Sequence, residues 1–206
     1  MNFPSRFPIP RMNSVRSRVP IRGAGSICPG SSFRGLHESL VNHLGNAQPE
    51  MLLCLHEEAA VAIAASESGG LWKTTDAGAT WSHLDGLPQF RMSAVRMDPN
   101  NPLNVIATTW PDSQATSGGG IWRSTDGGAT WGKPTGADPT CNSLFAAWGI
   151  AFVPGSADVF VGTDCGVAVS HDHGASWTHV QPNVLNPAVY GVVAQPDGSG
   201  GTIVDT

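Results

Sequence analysis

Glu67, Asp112 and Asp164 each follow a short apolar run, Asp138 falls in a separate polar segment, and Trp110 lies among them. Two carboxylates at a suitable separation are what glycoside cleavage requires, one as acid and the other as base or nucleophile. The flat apolar face of Trp110 could stack on the C–H surface of a pyranose, or cap a core. Arg96 interrupts an apolar stretch, where it could bind an anion or pair with an acid. Asp112, Asp138 and Asp164 are therefore candidate catalytic groups, and Trp110, Asp112, Arg96 and Asp164 candidate ligand-binding groups. The plainer reading of loop aspartates is that they form turns.

Other chemistry is sparse. His171 and His173 flank Asp172, but no complete ligand set accompanies them, so no metal is expected. The glycine run 118–120 lacks the Lys-Ser/Thr of a phosphate-binding loop, and no Gly-x-Ser-x-Gly nucleophile turn occurs, so no cofactor is expected.

The elements that must position these residues come from a repeat. The pattern Ser/Thr-x-Asp-x-Gly-x-Ser/Thr-Trp occurs at 74–81, 124–131 and 170–177, spaced 50 and then 46 residues apart. Its defining residues are Thr74, Asp76, Gly78 and Trp81, then Ser124, Asp126, Gly128 and Trp131, then Ser170, Asp172, Gly174 and Trp177. In a tight hairpin the Asp accepts backbone N–H bonds, Gly takes a conformation other residues resist, and Trp packs on the sheet. Recurrence in every copy argues for a structural role.

Apolar runs at 61–65, 105–109 and 159–163 precede the octapeptides, and others at 93–98, 148–153 and 190–195 follow them, ending at Pro99, Pro154 and Pro196. The first set reads as second strands (B) of successive units and the second set as innermost strands (A), with 52–56 the first strand A and 202–204 a last strand B. A period in the forties with four strands per repeat predicts an all-β chain. Its fold class is a β-propeller of four-stranded blades, about three blades plus part of a fourth, a fragment of a larger propeller. The remaining blades are either missing from this chain or supplied by another copy. The octapeptides and A–B turns should share one face, and the B–C and D–A loops, with Trp110 and the carboxylates, the other. Ala168 stands where the other repeats have Trp72 and Trp122, so looser packing is expected there.

The octapeptide resembles the Asp-box, or BNR repeat, of sialidases, sortilin-type receptors, propeller glycoside hydrolases and photosystem assembly factors, over about residues 50–206. That resemblance implies an architecture rather than an activity. The sialidase arginine motif is absent, since Phe7-Pro8-Ile9-Pro10 lacks the arginine, and Tyr190 is the only tyrosine. The expected function is a scaffold that binds a glycan or a protein. Part of a propeller glycoside hydrolase, exo-sialidase-like or glucanase-like, is the alternative, and an assembly factor of a membrane complex the second alternative.

Residues 1–37 hold six of the eleven basic side chains and no acid, leaving five basic against sixteen acidic side chains in the rest, a net −11. An acidic propeller repels phosphate backbones, so no nucleic-acid partner is expected. No apolar run approaches the roughly 20 residues that span a bilayer, so no membrane insertion is expected. With five prolines in its first 29 residues, 1–45 reads as a disordered or atypical tail before a propeller at 46–206. Cys141 on a D–A loop and Cys165 on the next B–C loop share a face and are expected to form a disulfide. The location favoured is extracellular or cell-envelope, with no secretory signal visible.

Overall fold

A computed structural model describes residues 51–52, 60–66, 69–88, 91–111, 119–137, 146–180, 188–196 and 202–205. Thirteen strands and no helix occur among them. Blade one holds β1 (Met51–Leu52), β2 (Ala62–Ser66), β3 (Gly70–Thr74) and β4 (Ser82–Leu84), hydrogen-bonded in that order. Blade two holds β5 (Met92–Asp98), β6 (Asn101–Thr109) and β7 (Gly120–Ser124). Blade three holds β8 (Ala147–Phe152), β9 (Val159–Thr163), β10 (Gly166–Ser170) and β11 (Thr178–Val180), and β12 (Val193–Pro196) pairs with β13 (Thr202–Asp205) in a fourth unit. Among the described residues every strand pairs antiparallel with a neighbour in the chain, the meander of a β-propeller. The expected tail at 1–45 lies outside the described residues.

No blade has a core of its own, because the apolar clusters lie between blades. Side chains alternate across a strand, so Val105 and Ala107 of β6 join Ile63, Ala65 and Leu71 of blade one, while Ile106 joins Val159, Val161 and Trp177 of blade three. Phe160, on the other side of β9, packs with Ala151 and Val192 toward the fourth unit. Each fully buried aliphatic of this kind contributes about 1.5–3 kcal/mol. Ala168 is fully buried in the cluster with Cys165 and Trp177, so the small residue leaves no exposed gap there. Trp81 and Trp177 are buried, whereas Trp131 is only half-buried.

Blade two departs from four full strands. Gly132 exchanges two backbone bonds with Arg123, both 3.0 Å, and the outer strand then stops. Pro134 stands where the next ladder donor would be and has no N–H. The chain runs on to Thr135, which bridges Ser176 and accepts a bond from Trp177 N (2.9 Å) of the third octapeptide. Gly136, at φ +71°, lies against the Trp177 carbonyl, and Gly86 of blade one lies likewise against Ala129 O; both come five residues after an octapeptide Trp. A methyl group at either position would drive the two backbones apart.

The three octapeptide turns are superimposable in their bonding. Thr74 Oγ1 donates to Asp76 Oδ1 (2.7 Å) and accepts from Gly78 N (2.9 Å), while Asp76 accepts Thr80 N (2.9 Å) and Thr80 Oγ1 (2.6 Å). Ser124, Asp126, Gly128 and Thr130 repeat this, as do Ser170, Asp172, Gly174 and Ser176. The residue after each Asp has a left-handed backbone, at Ala77, Gly127 and His173, and its N–H bonds to Ala60 O, Leu103 O or Ala157 O beside the start of strand B. The octapeptides and A–B turns therefore share one face.

These bonds hold all three carboxyl groups at about 2, below their ordinary 3.8. At Asp76 and Asp126 the hydroxyl of Thr80 or Thr130 is the largest cause. At Asp172 desolvation pushes upward most strongly, but the bonds from Ser176 and Ser170 together outweigh it. Since the folded state lowers these values, the stability they contribute is full above about pH 4 and is lost as the pH falls from there toward 2. Replacing Asp126 by Asn should therefore destabilise the protein at pH 7 and progressively less toward pH 2. Denaturant unfolding at a series of pH values measures the gap between the two proteins, and a gap independent of pH would refute the assignment.

Candidate functional site

On the opposite face, three aromatic rings form a row across two blade boundaries. Trp110 follows β6, its N–H bonding to Arg91 O (3.0 Å). Trp148 sits in β8, where the pairing with β9 skips between Ala147 and Ile150. Two carbonyls beside the skip are taken up by blade two: Thr108 Oγ1 donates to Trp148 O (2.7 Å), and Ser93 Oγ donates to Ala147 O. Tyr190 precedes β12, its carbonyl accepting Gly149 N (3.2 Å). A Cβ on Gly149 would crowd Gly191, Tyr190 O and Val192 N, so glycine lets the two inner segments touch and brings the rings together.

Trp110 and Trp148 have centroids 4.5 Å apart at 69°, and Trp148 and Tyr190 4.8 Å apart at 61°, both edge-to-face. The Arg91 guanidinium lies over Trp110, 5.2 Å from its centroid. At the other end Tyr190 is 68% exposed, far more than half-buried Trp110 and Trp148. Asp164, in the β9–β10 turn, fixes the middle ring: Oδ1 accepts Trp148 Nε1 (3.1 Å), and Oδ2 accepts Ala146 N (3.1 Å).

Of the residues singled out in the sequence, the structure brings Trp110 and Asp164 to one face, linked through Trp148. Both oxygens of Asp164 already accept internal bonds, which makes it first a positioning group. Arg96 lies in β5, and its Nε donates to Ile150 O (3.5 Å) in β8, so it joins blades two and three. Asp112, Asp138, Glu67 and Cys141 lie outside the described residues. Cys165 is buried and disulfide-bonded, to a cysteine outside the described residues. His171 and His173 diverge to separate carboxylates, Asp158 (2.7 Å) and Asp98 (2.9 Å), and among the described residues no group of three metal-ligating side chains occurs.

Sequence reasoning passed over Trp148, Tyr190 and Arg91. A signal for two of them exists: Trp148-Gly149 and Tyr190-Gly191 stand six and five residues before Pro154 and Pro196, an aromatic-glycine pair repeated in register. Blade two has Ser93-Ala94 at those positions, and there the ring comes from Trp110.

Comparison with known proteins supports the architecture. No protein-family model and no curated protein sequence matches the chain. Among solved structures, an ancestral GH74 enzyme is similar over 69% of this chain and 20% of its own, at 24% identity and a TM-score of 0.55. The GH74 enzyme of Niastella koreensis is similar over 74% and 25%, at 19% identity and a TM-score of 0.57. At these identities the likeness is one of fold, and the chain spans about a fifth to a quarter of the length of the two enzymes. Among the described residues no helix is long and apolar enough to cross a membrane.

Asp164→Ala should remove the bonds to Trp148 in β8 and to Ala146 just before it, and cost about 1.5–3 kcal/mol, the range for hydrogen bonds to a charged group. It should also weaken the circular-dichroism couplet of the Trp110–Trp148 pair. Unchanged stability with an unchanged couplet would show that Asp164 does not hold Trp148.

Proposed function

We propose that this chain is part of an Asp-box (BNR) propeller that binds a glycan through the face carrying the row Trp110, Trp148 and Tyr190. The observation that carries this reading is the exposure of Tyr190 at the end of a braced aromatic row, since rings with an apolar body and a polar tip suit surfaces that are half wet. A rigid scaffold with binding residues on its loops fits the same reading. Trp110 enters as a support, its ring in contact with both Arg91 and Trp148, and Tyr190 as the contact surface. An extracellular or cell-envelope location belongs to the proposal, because a disulfide at Cys165 persists in oxidising compartments.

A second reading, part of a propeller glycoside hydrolase, is favoured by the fold likeness to GH74 enzymes. Hydrolysis would need a second carboxylate facing the site, for which Asp112 and Asp138 are the candidates in this chain. Activity on a glycan that binds, lost in Asp112→Asn or Asp138→Asn, would establish this reading over simple binding.

For the leading reading, Tyr190→Ala and Trp110→Ala should each weaken binding of a glycan found by array screening by about 1–3 kcal/mol, with the fold unchanged. Equal binding by both variants and the parent would end the aromatic-row proposal. We further propose Cys141 as the partner of Cys165, a bridge closing a loop of about 25 residues and stabilising by roughly 3 kcal/mol. Peptide mapping without reductant should recover the two as one linked pair; a linked pair containing Cys28 or Cys54 instead would refute it.

A further inference from the structure

Resting on the glycan-binding reading, we infer that the site takes one pyranose ring at a time, stacked on Tyr190, and not a run of consecutive rings laid along the row. Consecutive sugar units of a flat chain present roughly parallel faces, so a platform for a run needs aromatic rings whose open faces are parallel as well. Here each ring is turned more than 60° from the next, 69° between Trp110 and Trp148 and 61° between Trp148 and Tyr190. The edge-to-face packing that makes the row rigid is what removes it as a continuous platform.

Occupancy of the faces leads to the same place. Arg91 lies over Trp110, with its Nη1 3.5 Å from Pro111 O, so a ligand ring on that face would have to displace a cation already stacked there. Trp148 is held at its backbone by Thr108 and at its indole N–H by Asp164, and it packs edge-to-face with both Trp110 and Tyr190. That leaves Tyr190, 68% exposed, as the ring with an open face. Its phenol hydroxyl adds a donor and acceptor at the ring edge, suited to a sugar hydroxyl. Trp148, Trp110 and Arg91 are then positioning residues that keep the Tyr190 ring from turning. A ring held in place before the ligand arrives loses less rotamer freedom on binding.

The experiment is a length series. Methyl pyranosides identified by array screening, and linear oligosaccharides of the same unit from two to six residues, are titrated into the full chain by calorimetry. The expected result is binding by the methyl glycoside alone, a Kd that changes less than about threefold from one unit to six, and at least a fivefold loss in Tyr190→Ala. Tightening of tenfold or more on adding the second or third unit, sensitive to Trp110→Ala or Trp148→Ala in steps, would overturn the single-ring inference while leaving glycan binding intact. Absence of binding by every saccharide at every length would overturn both. Because Tyr190 is exposed, its replacement is not expected to unfold the chain, and unchanged thermal unfolding of Tyr190→Ala keeps a loss of binding attributable to the ring.

Discussion

The sheets of blades two and three are apolar on both faces, and the rest of the architecture follows from the need to cover both. Val105 and Ala107 point one way from β6 and Ile106 the other, into clusters shared with different neighbours. A single unit would leave one or both of these surfaces in water, at a cost far beyond what its own backbone ladder returns. Blades therefore exist only in series, and the sequence must solve the same packing problem at every repeat. Glycines recur where backbone from one blade meets backbone from the next, as Gly86 does on the second octapeptide and Gly136 on the third.

Polar bonding supplies what apolar packing lacks, a defined register between blades. Lys73 Nζ donates to Gly127 O (2.7 Å), tying blade one to the second octapeptide. Asp98, fully buried, accepts Asn104 Nδ2 (3.1 Å) and meets His173 Nδ1 (2.9 Å), tying the A–B turn of blade two to the third. Asn104 completes the link by donating to His173 O (2.9 Å) and accepting Arg123 Nε (2.8 Å). Sheets that slide on greasy faces are thereby fixed at one rim, and buried groups of this kind persist because each has its partners. The opposite rim is left to vary. It is there that the β8–β9 register shifts between Ala147 and Ile150, carbonyls beside the shift are taken up by Ser93 and Thr108, and the aromatic row is assembled.

Much of the frame was legible from residue order. The octapeptide turns were readable because their bonds are local: Thr74, Asp76, Gly78 and Thr80 satisfy one another within seven residues, so the pattern carries its own geometry. Strands B were readable as apolar runs between turn signals, β9 at its observed limits and β2 displaced by one residue. The apolar run puts strand A of the fourth unit at Tyr190, whereas its ladder begins at Val193, because Gly191 interrupts the run and the segment bonds to β8 through Gly149 before any ladder of its own begins. The shortened outer edge of blade two was visible in principle, since Pro134 lacks the donor the next bond requires.

The chain's order of residues thus determined the repeat, the turn chemistry, the blade count and which loops share a face, because those depend on bonds between near neighbours and on a periodicity that local pattern records. What only the tertiary structure decided is how residues distant in sequence meet. Trp110, which by pattern could stack on a sugar or cap a core, has Arg91 over its ring. Asp164, a loop carboxylate by pattern, spends its oxygens on Trp148 and Ala146. Tyr190, hidden in what reads as an inner strand, is the ring that faces solvent. The physical reason is common to all three. A side chain's chemistry is written in its own residue, but whether its face or its lone pairs are already occupied depends on neighbours delivered by the packing of one blade on the next.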